Sequence, residues 1–162
     1  MRFKGVVVVF ALAAVSLIVA GGSRAQEEVQ RIDAGDKEFG IILGEPSGFS
    51  GKIWTTWNAA VDFGLAWSFS DGGHFHIHAD YLFHNFDFFD VEEGSLPIYV
   101  GIGGRLRLEE DDPRAGIRIP VGVEYIFEGH RVSLFLEIAP IVDIAPDTEA
   151  NVNGGVGVRF IF

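Results

Sequence analysis

The chain has 162 residues, a formal net charge of −11 and no cysteine, and 48% of its residues are hydrophobic. The length allows one domain of ordinary size. The lack of cysteine excludes a disulfide framework, a zinc finger, an iron–sulfur site and a cysteine nucleophile. The acidic balance argues against a nucleic-acid partner, because no basic cluster is present to neutralise a run of phosphates. The 21 glycines and 15 phenylalanines are unusual for a soluble acidic domain.

The N-terminus has the pattern of an export signal. A basic start precedes an apolar stretch at residues 6–20, and the small residues Ser23 and Ala25 fit a cleavage site. The stretch is shorter than the roughly 20 apolar residues that a membrane-spanning helix needs. Residues 1–25 are therefore predicted to be a cleaved signal peptide, with an uncleaved anchor as the alternative. Cleavage changes the net charge from −11 to −14 over the remaining 137 residues.

After an acidic lead at residues 26–37, hydrophobic residues recur with the period of two that is typical of β-strands. In residues 60–69, for example, Val61, Phe63 and Leu65 face one way, and the small or polar residues between them face the other. Glycine, proline and aspartate mark the turns between such segments. Eight strands are predicted, at residues 38–44, 50–57, 60–69, 74–83, 98–108, 116–127, 132–139 and 151–162.

Strands of this length suit a tilted crossing of a bilayer. We therefore expect an all-β fold for residues 38–162, an eight-stranded antiparallel up-and-down transmembrane β-barrel. Ten strands are the alternative if the long connector at residues 85–96 also pairs. Pro120 lies within a predicted strand, where it removes a ladder hydrogen bond, and predicts a β-bulge there.

The composition of the polar face indicates which side of the barrel meets water. A lipocalin-like barrel would show that face to solvent, yet Lys37 and Lys52 are the only lysines after the signal. Glycine, alanine and single charges instead suit the narrow interior of an eight-stranded barrel. Four carboxylates balance four arginines there, which indicates a plugged lumen filled by ion pairs. The predicted polar network consists of Asp62, Asp80, Glu124, Glu137, Arg105, Arg107, Arg118 and Arg159.

The apolar face ends in aromatic residues, where the interfacial girdles of a membrane barrel would lie. The last strand alternates and finishes on Phe160 and Phe162. A terminal aromatic on such a strand resembles the C-terminal signal that the barrel-assembly machinery reads in bacterial outer-membrane proteins. The other expected girdle residues are Trp67, Phe69, Tyr81, Phe83, Tyr125 and Phe127.

Several phrases together resemble one family, the small bacterial outer-membrane barrels whose architecture is similar to the OmpA membrane domain and OmpX. The resemblance implies a monomeric barrel surrounded by outer-membrane lipid in a diderm bacterium, with no enzymatic activity that can be transferred. Some members of the family bind host factors, which leaves surface ligands of the loops open. The phrases are residues 40–48 (GIILGEPSG), 60–69 (AVDFGLAWSF), 76–83 (HIHADYLF), 101–106 (GIGGRL), 118–122 (RIPVG) and 135–140 (FLEIAP).

Two groups of residues were considered for metal binding. His76, His78 and Asp80 alternate on one strand face, a spacing that could place ligands around one ion. The favoured interpretation is that they are interior residues bonded to arginines, so no metal or cofactor is expected. The acidic residues 109–112 could bind Ca²⁺, but they lack ordered ligand spacing and fit a solvated loop better.

Small outer-membrane barrels include lipid A-modifying enzymes, which use a serine, a histidine and an acid on a similar scaffold. The nearest candidate group is His130, Ser133 and Glu137. Along a strand, Ser133 and Glu137 lie about 13 Å apart at roughly 3.3 Å per residue, so they form no local triad. We expect a non-enzymatic outer-membrane barrel with a structural or surface-interaction role. A secreted lipocalin-like barrel for a small apolar ligand and a lipid A-modifying enzyme are the alternatives.

Overall fold

The structure is a computed structural model that describes residues 32–68, 74–108 and 113–162. The predicted signal peptide, most of the acidic lead, Phe69 and the acidic residues 109–112 lie outside the described residues. Within the described ranges, no helix is long and apolar enough to cross a membrane.

The regular elements of the described chain are antiparallel strands that form one closed ring. Consecutive strands pair with each other, apart from the sixth and seventh, and the first strand pairs with the last. The strands are β1 Lys37–Glu45, β2 Ser47–Trp54, β3 Ala59–Ser68, β4 His74–Asn85, β5 Ile98–Leu108, β6 Arg114–Arg118, β7 Val121–Ile126, β8 Val132–Ala145 and β9 Glu149–Ile161.

Strands β6 and β7 are the two halves of one barrel strand, because both lie between β5 and β8. The ring therefore has eight strand positions, and the prediction of an eight-stranded up-and-down barrel is confirmed. The ten-strand alternative is wrong, since the connector between β4 and β5 contributes only an isolated bridge between Ser95 and Ile126.

The interruption between β6 and β7 occurs at Pro120, but it is not the predicted bulge. Arg118 and Val121 flank the interruption and lie three positions apart. Their pairing partners are also three positions apart on each neighbouring strand, so no residue is inserted and the register is unchanged. Pro120 lacks an N–H, yet its carbonyl still accepts a hydrogen bond from the Gly101 N–H at 2.8 Å. The proline therefore removes one hydrogen-bond donor from the sheet and does not shift the strand register. A register shift occurs instead between Ala115 and Gly116, where β6 pairs with β8.

The antiparallel order fixes which connectors share an end of the barrel. The near end, where β1 begins and β9 finishes, also carries the connectors at residues 55–58, 86–97 and 127–131. The far end carries Pro46 and the short connectors between the other strand pairs. The longest of the connectors therefore lies at the near end.

An apolar cluster lies at the near end of the barrel. It consists of Ile32, Trp54, Ala60, Ile126 and Ile161, all buried, with Phe86 of the long connector packed against it. The cluster thus joins strand ends to the segment before β1 and to the long connector.

A glycine on β1 allows the ring to close tightly. At Gly40, a Cβ atom would collide with the backbone of β9, at the carbonyl oxygen of Val158. Only a residue without a side chain permits this approach between the first and last strands.

Candidate functional site

The inward faces of the strands carry most of the polar and charged side chains that are buried in the described residues. All eight residues of the predicted network alternate onto this face. Arg107 is half-buried, and the other seven, Asp62, Asp80, Arg105, Arg118, Glu124, Glu137 and Arg159, are buried.

Arg159 on β9 joins several strands from the middle of the network. Its guanidinium donates hydrogen bonds to Asp62 Oδ2, to Glu124 Oε1 at 3.4 Å and to Ser50 Oγ at 2.9 Å. The same group lies over the ring of Phe135, 3.7 Å from its centroid. One buried cation thus connects β2, β3, β7 and β8 to the last strand.

Arg118 on β6 forms a second centre. Its two terminal nitrogens donate to Asp80 Oδ2 on β4 and to Glu137 Oε1 on β8. Glu137 also accepts a hydrogen bond from the Tyr99 hydroxyl at 2.9 Å. Charge-assisted bonds of this kind offset part of the cost of removing both ions from water.

Arg105 pairs with a carboxylate that the sequence analysis missed. Its Nη2 lies 2.7 and 2.8 Å from the two oxygens of Asp143. The predicted strand stopped at residue 139, before Pro140, whereas β8 continues to Ala145. The alternation itself was the signal that could have placed Asp143 inside, because Asp143 follows the inward positions Ala139 and Ile141 at the same spacing of two.

A third group lies toward the near end and was also missed. Lys52 pairs with Glu124, and its Nζ is 3.6 Å from Glu38 Oε1. Glu38 accepts further hydrogen bonds from Trp54 Nε1 at 2.6 Å and from Ser133 Oγ at 2.9 Å. Lys52 and Glu38 belong to the two strands with the weakest alternation, so their inward parity was hard to read from the sequence.

These additions change the expected balance of charge in the interior. Among the described residues, six carboxylates and four cations are buried, where four and four were predicted. The difference arises because Glu38, Asp143 and Lys52 enter the interior, while Arg107 is only half-buried. The buried interior therefore carries an excess of negative charge, which Arg107 reduces by one.

The metal candidates are brought together only in part. His76, His78 and Asp80 are all buried and inward, but the group that could share an ion is Asp62, His78 and Asp80. One ligand atom from each of these three lies within 4.8 Å of the others. The cross-strand partner Asp62 replaces His76, because β3 and β4 pair Asp62 with Asp80.

The catalytic candidates are not assembled. Ser133 donates to Glu38, and Glu137 is held by Arg118 and Tyr99. His130 is exposed in the turn between β7 and β8. The three side chains therefore have separate partners and surroundings.

A small cavity lies toward the far end of the interior. It has room for about one water molecule and is partly open to solvent. The lining residues are Ile42, Glu45, Pro46, Ala66, His78, Arg118, Glu137, Asn153 and Gly154.

The outward faces are apolar and exposed. Aromatic residues concentrate toward the near end, where Tyr81 and Phe83 pack edge to face at 5.0 Å between centroids, and Tyr125 and Phe127 do so at 4.7 Å. The exposed large hydrophobic residues on the strands include Phe39, Ile41, Phe63, Leu65, Trp67, Val100, Ile102, Ile117, Leu136, Ile138, Val152 and Phe160.

Comparison with known proteins rests on the fold. No family model matches the sequence, and no curated protein matches it. A solved structure, the N-terminal β-barrel domain of Pseudomonas aeruginosa OprF, superposes with a TM-score of 0.66 over 81% of this chain and all of that domain. The chain has an OmpA-like β-barrel fold. Sequence identity to the OprF domain is 15%, so the OmpA-like likeness is one of architecture.

Proposed function

We propose that the chain is a non-enzymatic integral barrel of the bacterial outer membrane, with a plugged polar lumen and a structural or surface-interaction role. The observation that carries this proposal is that the apolar faces of the strands point outward and the charged faces point inward. Large apolar side chains are exposed on the outside, and carboxylates and cations are buried inside. A water-soluble lipocalin-like barrel requires the opposite arrangement.

The height of the apolar surface supports a lipid environment. Strand β3 has 10 residues. At about 3.3 Å per residue and a tilt of roughly 40°, ten residues rise about 25 Å along the barrel axis. This is about the height of the lipid-facing band of outer-membrane barrels.

Two features support a lumen without a wide channel. The ion pairs of Arg159, Arg118 and Arg105 cross the interior, and the apolar cluster around Trp54 lies at its near end. An eight-stranded barrel has an interior just wide enough for side chains. The partners we propose are outer-membrane lipid and surface ligands of the far-end loops. During biogenesis, the barrel-assembly machinery would recognise Phe160 and Phe162. We propose that the barrel is a monomer.

Cell fractionation combined with gel migration before and after boiling tests the proposal. We expect the protein in the outer-membrane fraction, with a folded band that shifts on heating. Recovery in the soluble periplasmic extract would contradict a membrane barrel. Large, stable pores in planar bilayers would contradict a plugged lumen, and a changed mass of lipid A in expressing cells would contradict the non-enzymatic role.

A further inference from the structure

We propose that the barrel interior binds one divalent first-row transition-metal ion through Asp62, His78 and Asp80. The three residues lie on adjacent strands, where Asp62 is the cross-strand partner of Asp80, and Gly64 is the partner of His78. The His78 ring occupies the space that a Cβ atom at Gly64 would need. The glycine therefore leaves room for the imidazole to lie across β3, beside Asp62.

The donor atoms are near enough for side-chain rotation to bring them around one ion. One ligand atom from each residue lies within 4.8 Å of the other two. In a tetrahedral site with bonds of about 2.0–2.2 Å, two ligands of one ion are about 3.4 Å apart. A pair at the 4.8 Å limit has to close by about 1.4 Å, a distance that rotation of the aspartate and histidine side chains covers.

The arginines leave donor atoms available. Arg159 and Arg118 donate to Oδ2 of Asp62 and to Oδ2 of Asp80, respectively. Asp62 Oδ1 is 3.6 Å from His78 Nε2, beyond hydrogen-bond distance. Asp80 is 3% exposed, and its Oδ1 has no hydrogen-bond partner among the described residues. A buried carboxylate oxygen without a partner is costly, and a cation would satisfy it.

The charge of the interior also favours a cation. The six buried carboxylates outnumber the four buried cations of the described residues, and half-buried Arg107 leaves a negative excess. A divalent ion between two aspartates would offset that excess at the point where Asp80 is incompletely paired. The adjacent guanidiniums keep their own carboxylate oxygens and need not be displaced.

The donor set and its access indicate the class of ion. One imidazole with two carboxylates suits Zn²⁺ and its first-row neighbours, whereas Mg²⁺ and Ca²⁺ prefer oxygen ligands alone. His78 lines the far-end cavity, which is partly open to solvent, so one of the three ligands can be approached from that side. The charged residues that line this cavity are Glu45, Glu137 and Arg118, and their net negative charge would attract a cation toward it.

Titration calorimetry on the full chain, purified in detergent micelles and stripped with EDTA, tests the site with ZnCl₂. We expect one zinc ion per barrel and a much weaker response to MgCl₂. His78→Gln and Asp80→Asn should each weaken zinc binding by about tenfold or more. His76→Gln is the matched control, since His76 is a buried inward histidine of the same strand outside the group, and its affinity should stay within about twofold of the unchanged protein. Absence of zinc binding by the unchanged protein, or an equal loss in His76→Gln and His78→Gln, would overturn the proposal.

A second measurement needs no variant and therefore does not depend on whether the substituted barrels fold. X-ray absorption at the zinc edge identifies the ligands of the bound ion, whether or not they are buried. We expect nitrogen and oxygen ligands at about 2.0–2.2 Å and the outer-shell scattering of a single imidazole, that of His78. A ligand set with no imidazole, or with two or more, would overturn the proposal.

Discussion

A single charged residue placed at two heights of one strand tests whether lipid covers the outer face. Ile138 and Ile144 are both on β8, and their side chains are 58% and 59% exposed. Ile138 lies near the middle of the strand and Ile144 near its far-end limit. The substitutions Ile138→Arg and Ile144→Arg therefore match in residue type, strand and exposure, and differ in height along the barrel.

The expected costs follow from that height. Six residues at about 3.3 Å each, tilted by roughly 40°, place Ile144 about 15 Å above Ile138 along the axis. Half of a 25 Å apolar band is about 12 Å, so Ile144 lies beyond the band when Ile138 is at its centre. An arginine at the bilayer midplane costs about 2–4 kcal/mol, and one near the interface costs about 0–1 kcal/mol. On a water-facing surface both changes would stay within about 0.5 kcal/mol.

Reversible denaturant unfolding of the barrel in lipid vesicles measures the two free energies. We expect Ile138→Arg to lower the free energy of unfolding by about 1–4 kcal/mol more than Ile144→Arg does. Equal effects below about 0.5 kcal/mol would refute the lipid-facing assignment. Equal large effects would refute the depth argument, because height on the strand would then not determine the cost.

Three further outcomes are expected. Arg159→Met should lower the free energy of unfolding by about 3–5 kcal/mol, since it leaves buried carboxylates without their cation. In denaturant unfolding, the added change Asp62→Asn should restore part of this loss, and no recovery would contradict the ion pair between Arg159 and Asp62. Gly40→Ala should destabilise the barrel by about 3 kcal/mol or abolish the heat-sensitive band, because the new Cβ would collide with β9. The control Gly104→Ala should be tolerated, since its Cβ would have its nearest neighbour at 3.8 Å, and equal effects of the two changes would count against a close approach of β1 to β9. Phe162→Ala removes an exposed ring, so it should change the free energy of unfolding in vitro by no more than about 1 kcal/mol. It should also reduce the amount of protein that fractionation finds in the outer membrane, and an unchanged amount would argue against a role of Phe162 in assembly.

The strands and their faces could be predicted because one face of each strand is apolar. In β3, large residues alternate with small ones. A shift of the strand register by one residue would turn its apolar side chains inward, so the face on which each residue lies is strongly specified. The predicted limits of β3 and β5 fall within one residue of the observed ones. Pro120 and Pro140 are the exceptions. The bulge predicted at Pro120 does not occur, and the register is the same on both sides of it. The strand predicted for residues 132–139 continues through Pro140 in register with β9.

The pairing partners inside the barrel could not be predicted from the sequence. Asp62 and Arg159 are 97 positions apart, and only the closed ring brings them together. The same holds for Asp62 in the metal-ligand group, since its neighbours on β4 are fixed by strand register and not by local spacing. Glu38 and Asp143 were missed for a simpler reason: they lie at strand ends, where the alternation is shortest and the predicted limits are least certain.

The pairing of β1 with β9 also determines when the protein can fold. It joins residues 38–45 to residues 154–161, which are separated by 109 to 123 positions along the chain. Contacts of such long range form slowly, and here they cannot form until the last strand has been synthesised. Until then, the apolar residues and the strand edges lack their final partners, and a chain in that condition is prone to aggregate. We therefore expect its yield in the cell to depend on holding chaperones during transit.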